Sequence, residues 1–318
     1  KEKVHRIRSV KDIFSPPMLL CRKALDTKRF ILKSAVSYQK AVFKDSITSI
    51  RAYNGNLSIL KNISCIGASK LFSYLAINTF SSIGIEREQS QNEDKFDFPY
   101  VELSKDSYET FERIYKEQYD AKQKDIVDSV KIQQLDELIE NKYDELNEEI
   151  CDTLHMQEVE KDLINYTLDI SMPLITKSNG YKNIFNAIKQ EDQQLKEYAQ
   201  VYIDRFANSF NRSGKRFTIE ILYSKQVIGM YFKVIDESMF TDEVVFTSDN
   251  ENLLPTITAL TSQKLTDALF VQKDVRGFEK EYFYIFKPNE KRLWYKAIAY
   301  LDVNEFDDAM LRVGRNRE

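Results

Sequence analysis

Glycine is scarce in this sequence, at 8 of 318 residues, against a usual share of about 7%. Many cofactor-binding folds need glycine-rich loops, because only glycine lets the backbone approach a phosphate closely. The sequence has no Walker loop, no Gly-x-Gly-x-x-Gly fingerprint and no Gly-x-Ser-x-Gly elbow. This shortage excludes nucleotide hydrolases, nicotinamide enzymes and hydrolases built on that elbow.

Cysteine and histidine are also few. The three cysteines, Cys21, Cys65 and Cys151, are odd in number and lie in or beside apolar or helical stretches, which is typical of reduced thiols in a cytosolic protein. The two histidines, His5 and His155, stand far apart, and no His/Cys/Asp cluster has the spacing of a zinc site. We therefore predict neither a metal site nor a catalytic site from these residue types.

Long apolar runs are absent as well. No segment has the roughly 18 consecutive apolar residues of a membrane span, and no charged start leads into an apolar run and a cleavage site. We therefore expect a cytoplasmic protein without a membrane partner. The sequence begins with Lys1 rather than methionine, and we expect it to be a fragment of a longer protein.

Charge is abundant but unevenly distributed. The formal net charge is −4, yet residues 1–60 carry thirteen Lys or Arg against four acids, a net +9. Residues 86–160 carry nine Lys or Arg against 23 acids, a net −14. A basic segment of this size favours nucleic-acid binding, because each neutralised phosphate releases counterions. The alternative is that the basic residues only alternate on the solvent face of strands.

Hydrophobic periodicity predicts an α+β protein of two small mixed lobes separated by a long, coiled-coil-like helical spacer. We predict a basic α+β lobe over residues 1–103, the helical spacer over residues 104–213 and a C-terminal α+β lobe over residues 214–318.

In the first lobe, residues 13–23 predict a turn and a short strand, and the alternation over residues 29–53 predicts further strands, giving two or three short antiparallel strands. A largely buried helix is predicted from residue 57 to about residue 78, with Asn56 or Ser58 as its cap.

The spacer is almost free of glycine and proline. Residues 104–172 predict either one long amphipathic helix or two helices folded back on each other, with a possible coiled-coil seam. Ser171-Met172-Pro173 is predicted to end this segment, and another helix is predicted over residues 181–211.

In the last lobe, two strands joined by Ser224-Lys225-Gln226 predict a hairpin. Further strands are predicted near residues 269–272 and 282–286, and a last helix over residues 292–311. Trp294 is predicted to fill the core rather than to stack on a base.

Two stretches resemble a known family of proteins. The first is Ser81-Ser82-Ile83-Gly84-Ile85-Glu86-Arg87-Glu88-Gln89; the second is Phe283-Tyr284-Ile285-Phe286-Lys287-Pro288-Asn289 with Arg292, Trp294, Ala299 and Asp302. They are similar to segments downstream of the catalytic domain in N6-adenine-specific DNA methyltransferases of restriction-modification systems. The sharp parts of this resemblance cover about a tenth of the chain.

The resemblance implies that this chain is the target-recognition and helical region of such an enzyme. The implied partners are double-stranded DNA, the upstream methyltransferase domain, and a restriction subunit or a second copy of the chain. The family's catalytic residues and its S-adenosylmethionine site would lie upstream of Lys1, so no cofactor and no catalytic residue are expected in this fragment.

We predict that the basic lobe contacts DNA, since Arg and Lys bind phosphates and Arg, Gln and Asn can read base edges. The predicted DNA-binding residues are Arg22, Lys23, Arg29, Lys33, Lys40, Lys44, Arg51, Arg87 and Gln89. Arg87 could instead bridge Glu86 and Glu88 within its own loop.

Two other functions stay open. Asp274, Glu279 and Glu281, near Lys273 and Lys280, could belong to a metal-dependent nuclease module, if their carboxylates converge on one ion. The chain could instead be a helical assembly adaptor that binds protein partners through residues 104–170.

Overall fold

The structure is a computed structural model of the chain, and it describes residues 14–26, 29–80, 96–123, 129–178, 180–247 and 274–315. The contacts divide the chain into two compact units, Lys1–Ser178 and Asn179–Glu318. The described residues of each unit form one β-sheet with its own helices. A mixed α/β architecture with two sheets is therefore confirmed.

The first unit combines a small antiparallel sheet with helices. Its strands are β1 (Met18–Arg22), β2 (Ser34–Ser37) and β3 (Ile47–Ile50), and its helices are α1 (Leu57–Gly67), α2 (Lys70–Thr79), α3 (Lys105–Lys122), α4 (Ser129–Thr153), α5 (Glu158–Tyr166) and α6 (Met172–Thr176). The sheet has the order β2-β1-β3. Leu19 lies opposite Val36 on one side and Ile50 on the other, and these side chains join the core formed with α1 and α2.

The single helix predicted over residues 57–78 is two helices. α1 begins where Asn56 Oδ1 accepts a hydrogen bond from the Ser58 amide at 2.9 Å, so Asn56 is the cap. Ser69 interrupts the helix and caps α2, because its Oγ accepts from the Phe72 amide at 3.1 Å. A serine that bonds the backbone locally competes with the helix, although the apolar periodicity continues through the break.

The helices predicted as a spacer belong to the cores of the two units. α3 and α4 lie antiparallel, with Ile114 against Leu135 and Ile139, so the folded-back alternative is the right one. Side chains of α1 and α2 share a core with α3, α4 and α5: Cys65, Ile66, Leu71, Phe111, Leu146, Ile150 and Ile164. A long coiled-coil spacer is therefore not confirmed.

The chain also stays helical beyond the predicted end at Ser171-Met172-Pro173. A π-helical turn, Thr167–Ser171, continues directly into α6. Pro173 lies in the first turn of α6, where a missing N–H is tolerated. The helix ends instead at Lys177, whose φ of 47° is left-handed.

The second unit is a five-stranded sheet with two long helices. Its elements are α7 (Gln193–Phe210), β4 (Lys215–Tyr223), β5 (Val227–Asp236), β6 (Val244–Thr247), β7 (Val275–Phe278), β8 (Tyr282–Pro288) and α8 (Lys296–Arg315). The strand order is β6-β4-β5-β8-β7, with β6 parallel to β4 and the other pairs antiparallel. The predicted hairpin is confirmed as β4 and β5.

One face of this sheet packs against α7 and α8 around Trp294, which is fully buried and donates from Nε1 to the Pro288 carbonyl at 3.0 Å. Its interpretation as a core residue is confirmed. On the other face Gly229 lies opposite Phe286, whose ring covers it. A Cβ at Gly229 would stand 2.2 Å from Phe286 Cε1.

Several predicted limits differ from the structure. The helix predicted from residue 181 begins at Gln193, because Asp192 Oδ1 caps the Gln194 amide at 3.0 Å; residues 181–185 form a 3-10 turn. The last helix begins at Lys296 rather than at residue 292. The strand predicted near residues 269–272 lies outside the described residues, and β6 and β7 have no counterpart among the predicted strands.

Candidate nucleic-acid interface

The outer face of the small sheet carries basic side chains. The Arg22 amide donates to the Lys33 carbonyl at 3.0 Å, so these two residues lie opposite each other. Opposed residues share a face and neighbours along a strand alternate, which places Arg22 and Lys33 on the face away from Leu19. The same alternation after Ile50 places Arg51 there. All three basic residues are exposed.

The connection between β2 and β3, residues 38–46, carries two more exposed basic residues, Lys40 and Lys44. Exposed apolar side chains accompany them, with Val42 at 89% exposure and Tyr53, just after β3, fully exposed. Basic residues mixed with exposed aromatic rings are typical of surfaces that bind single-stranded nucleic acid.

Acidic residues neutralise part of this charge. Three of the predicted DNA-binding residues form ion pairs, Lys23 with Asp45, Lys33 with Asp26 and Arg29 with Glu140. Glu140 lies on α4, so Arg29 links the sheet region to the helices. Arg22, Lys40 and Lys44 have no ion pair within the part of the chain that the structure describes, so no carboxylate there offsets their charge.

The structure does not place every predicted residue. Arg87 and Gln89 lie within residues 81–95, outside the described residues, together with the whole Ser81–Gln89 signature. The choice between DNA contact and a local bridge for Arg87 therefore stays a prediction.

A cleft of about 440 Å³ opens beside β2, the edge strand on that side of the small sheet. Rings from α3 and α4 form its opposite wall: Phe111 and Tyr143 have centroids 4.6 Å apart, and the hydroxyls of Tyr115 and Tyr143 are 2.9 Å apart. A concave, mainly apolar cavity of this size is typical of a small-molecule site. Charge and motif reasoning missed it, although Tyr108, Phe111 and Tyr115 have the spacing of one helix face.

The backbone edge of β2 is partly closed. The Leu32 amide donates to the Gly67 carbonyl at 2.7 Å, and the Val36 amide donates to Tyr108 Oη at 2.9 Å. The register directs the N–H and C=O of Ser34 to the same open edge, and Ser34 lines the cleft. Neither of these Ser34 groups has a hydrogen-bond partner among the described residues.

Burial raises the pKa of Tyr108 to about 12, above the ordinary value of about 10. Between these two values the unfolded chain loses the Tyr108 proton while the folded protein keeps it, so stability falls as pH rises through this window. As pH rises through this window, we expect the free energy of unfolding of the wild type to fall by about 1–2 kcal/mol more than that of Tyr108→Phe. This figure includes a discount for the partial exposure of the Tyr108 side chain.

The measurement is urea unfolding at a series of alkaline pH values, together with the difference in tyrosinate absorbance between wild type and Tyr108→Phe. A difference spectrum that titrates near pH 10 would contradict the burial of this hydroxyl.

The second unit holds a buried cation. Lys287 is 3% exposed, and its Nζ donates to Asp302 Oδ2, to Tyr198 Oη at 3.2 Å and to the Leu293 carbonyl at 3.3 Å. Burial lowers the pKa of Lys287 more than Asp302 raises it. Asp302 Oδ1 also accepts from Arg276 Nη2 at 3.1 Å. All three donor positions of the ammonium are thus used inside the core.

The acids of the nuclease alternative do not surround an open position. Asp274 and Asp302 both bind the Arg276 guanidinium, and Glu279 and Glu281 are exposed at the turn between β7 and β8. Over the described residues, no group of three or more His, Cys, Asp or Glu is arranged to hold a metal ion.

The comparisons with known proteins give no relative. No family model, no curated protein and no solved structure matches this chain. Over its described residues, the chain has no helix whose length and hydropathy would suit a membrane crossing.

Proposed function

We propose that the first unit binds double-stranded DNA through the outer face of its small sheet and the connection between β2 and β3. The observation that carries the proposal is the register that brings Arg22, Lys33 and Arg51 to one exposed face, near a connection with Lys40 and Lys44. The finer proposal, a target-recognition region of an N6-adenine-specific DNA methyltransferase in a restriction-modification system, rests on the two resembling stretches.

In this proposal the chain recognises DNA and does not itself catalyse methyl transfer. Arg22, Lys40 and Lys44 neutralise phosphates, which sets affinity but carries no sequence information. Arg87 and Gln89 are the proposed base readers, because their side chains can make paired hydrogen bonds to guanine and adenine. The proposal assigns binding of the methyl donor, S-adenosylmethionine, to the methyltransferase domain of such an enzyme and not to this chain.

The test compares DNA affinity over a range of salt concentrations. In the triple variant Arg22→Gln/Lys40→Gln/Lys44→Gln, we expect weaker binding to every duplex, because the lost contacts are to phosphates. The slope of log affinity against log salt should fall by about 1 for each lost contact, or about 3 in total. Fluorescence anisotropy of a labelled duplex measures both quantities.

The matched control, Lys225→Gln/Lys280→Gln/Lys291→Gln, removes three positive charges from exposed positions of the second unit. It should keep the wild-type slope. If the two triple variants lose DNA affinity equally, binding responds only to the net charge of the protein. If the DNA affinity of the wild type does not change with salt concentration, the proposal is rejected.

A further inference from the structure

The cleft beside β2 has an aromatic wall and open backbone groups at Ser34, and the proposed phosphate contacts on the outer face of the sheet involve neither. We propose that it binds an uncharged nucleobase-type ring, which lies against the aromatic wall and bonds the open N–H and C=O of Ser34. The inference does not depend on DNA binding, because a free nucleoside could also supply the ring.

The walls of the cleft favour a flat aromatic ligand. Phe111, Tyr115 and Tyr143 line the side opposite β2. A ring that stacks on such side chains gains about 1–3 kcal/mol whichever base it carries. The volume of about 440 Å³ is sufficient for a ring with a sugar attached, within the roughly 300–1,000 Å³ of known ligand sites.

The open backbone groups favour a ring with a polar edge. Ser34 offers one donor and one acceptor side by side, while its Oγ is engaged with Ser64 Oγ at 2.9 Å. A nucleobase presents neighbouring acceptor and donor atoms on its pairing edge, as enzymes that read an extruded base exploit. A plain hydrocarbon ring would leave both Ser34 groups unpaired, which costs about 1–3 kcal/mol for each buried group.

The inner surface of the cleft favours an uncharged ligand. Burial raises the pKa of Cys65 and of Tyr108 to about 12, so both groups are neutral at physiological pH. Lys33, at the rim, is paired with Asp26. The carboxylate that lines the cleft, Glu112, is exposed and accepts from Tyr38 Oη at 3.4 Å. A cationic ring would therefore lose its hydration for a counter-charge that solvent screens.

The closed edge of β2 argues against an extended peptide as the occupant. A peptide that adds to a sheet bonds alternate residues of the edge strand. Here the amides on either side of Ser34, those of Leu32 and Val36, already have partners within the chain. Among the described residues of this edge, Ser34 is the one whose N–H is open beside its C=O, which suits a small ring better than an extended chain.

Calorimetric titration with adenosine tests the inference directly. We expect saturable binding with a Kd below about 1 mM. Tyr115→Ala removes part of the aromatic wall and should weaken binding by about 5-fold to 100-fold. Tyr119→Ala is the control, since Tyr119 lies on α3 one turn further along, is 63% exposed and does not line the cleft; it should leave the Kd unchanged.

A second probe tests the role of Ser34. Purine riboside lacks the exocyclic amine of adenosine, so it should bind about 2-fold to 10-fold more weakly through the loss of one hydrogen bond. Equal affinity for the two nucleosides would remove Ser34 from the site and overturn the proposal. Circular dichroism of both tyrosine variants confirms that each is folded, which their partly exposed positions allow.

A duplex with one unpaired adenine distinguishes the two sources of the ring. Adenosine binding that depends on Tyr115 supports the nucleobase site. If the unpaired adenine then gives no tighter DNA binding than a fully paired duplex, the ring comes from a free nucleoside. If adenosine fails but the unpaired adenine tightens DNA binding only while Tyr115 is present, the ring comes from DNA. If neither ligand responds to Tyr115→Ala, the cleft is not a nucleobase site, and the salt dependence of the basic face still tests DNA binding separately.

Discussion

Replacing Asp302 by asparagine is expected to destabilise the second unit by about 3–5 kcal/mol, the cost of leaving a buried charge without its partner. Asparagine has nearly the same shape, so the change leaves the packing intact. It removes the negative charge and turns one of the two acceptor oxygens, both of which accept hydrogen bonds in this network, into an NH2 donor. Lys287 would then keep two neutral acceptors, Tyr198 Oη and the Leu293 carbonyl, inside a core where it is 3% exposed.

The double variant Lys287→Met/Asp302→Asn removes both buried charges, and we expect it to be more stable than Asp302→Asn alone. Buried ion pairs replaced as a unit often cost little, whereas a single deletion strands one charge. Urea unfolding followed by fluorescence measures both variants, because Trp294 is the only tryptophan and lies beside this network.

Asp307→Asn is the matched control on the same helix. Asp307 pairs with Arg205, whose side chain is 54% exposed, and such pairs contribute about 0–1 kcal/mol. If Asp302→Asn and Asp307→Asn lower the free energy of unfolding by similar amounts, the Lys287 ammonium is better solvated than the structure indicates.

Gly229→Ala is expected to cost about 3 kcal/mol, at the upper end of the usual range for overpacking. The added Cβ would lie 2.2 Å from Phe286 Cε1 and 2.4 Å from Cδ1. The ring cannot turn away freely, since it is 2% exposed and meets Tyr231 edge-on at a centroid distance of 5.6 Å. Thermal or urea unfolding of the second unit measures the loss.

A double-mutant cycle with Phe286→Leu separates the clash from other effects. The smaller side chain makes room for the methyl group. The double variant should therefore lose less stability than the sum of the losses in the two single variants. Gly214→Ala shows the cost of a methyl group that meets no atom, because nothing lies within 4 Å of its added Cβ; its φ of 74° is left-handed, so it should cost about 1–2 kcal/mol from backbone strain alone. Strict additivity of Gly229→Ala and Phe286→Leu would rule out the steric explanation.

Sequence patterns over a few neighbouring residues correctly predicted the structural features that such short stretches determine. The β4–β5 hairpin followed from two alternating runs around a three-residue turn, and Trp294 followed from the usual place of a lone tryptophan. The parallel pairing of β6 with β4 joins residues that are distant in sequence, such as Ile219 and Val244, and no local pattern indicates it. At the break between α1 and α2, Ser69 Oγ donates to the Ile66 carbonyl and accepts from the Phe72 amide, which hydrophobic periodicity does not indicate.

The sequence was sufficient to predict the positive charge of the candidate interface, but not the ion pairs that neutralise part of it. Counting Lys and Arg identified Arg22, Lys40 and Lys44 as candidates, since charge is a property of residue type. The neutralisation of Arg29 by Glu140 joins residues 111 positions apart, so only the fold brings them together. The cleft beside β2 depends in the same way on how α3 and α4 lie against the sheet edge.

The partners of the β2 amides also bear on how the chain can be divided. Tyr108 closes this edge from α3, beyond the boundary predicted at residue 103. A piece ending there would present an uncovered strand edge, the kind of surface that joins other strands and aggregates. It would also expose the apolar side chains that meet Phe111 and Leu146. The smallest aggregation-resistant piece of the first unit must therefore include α3 and α4.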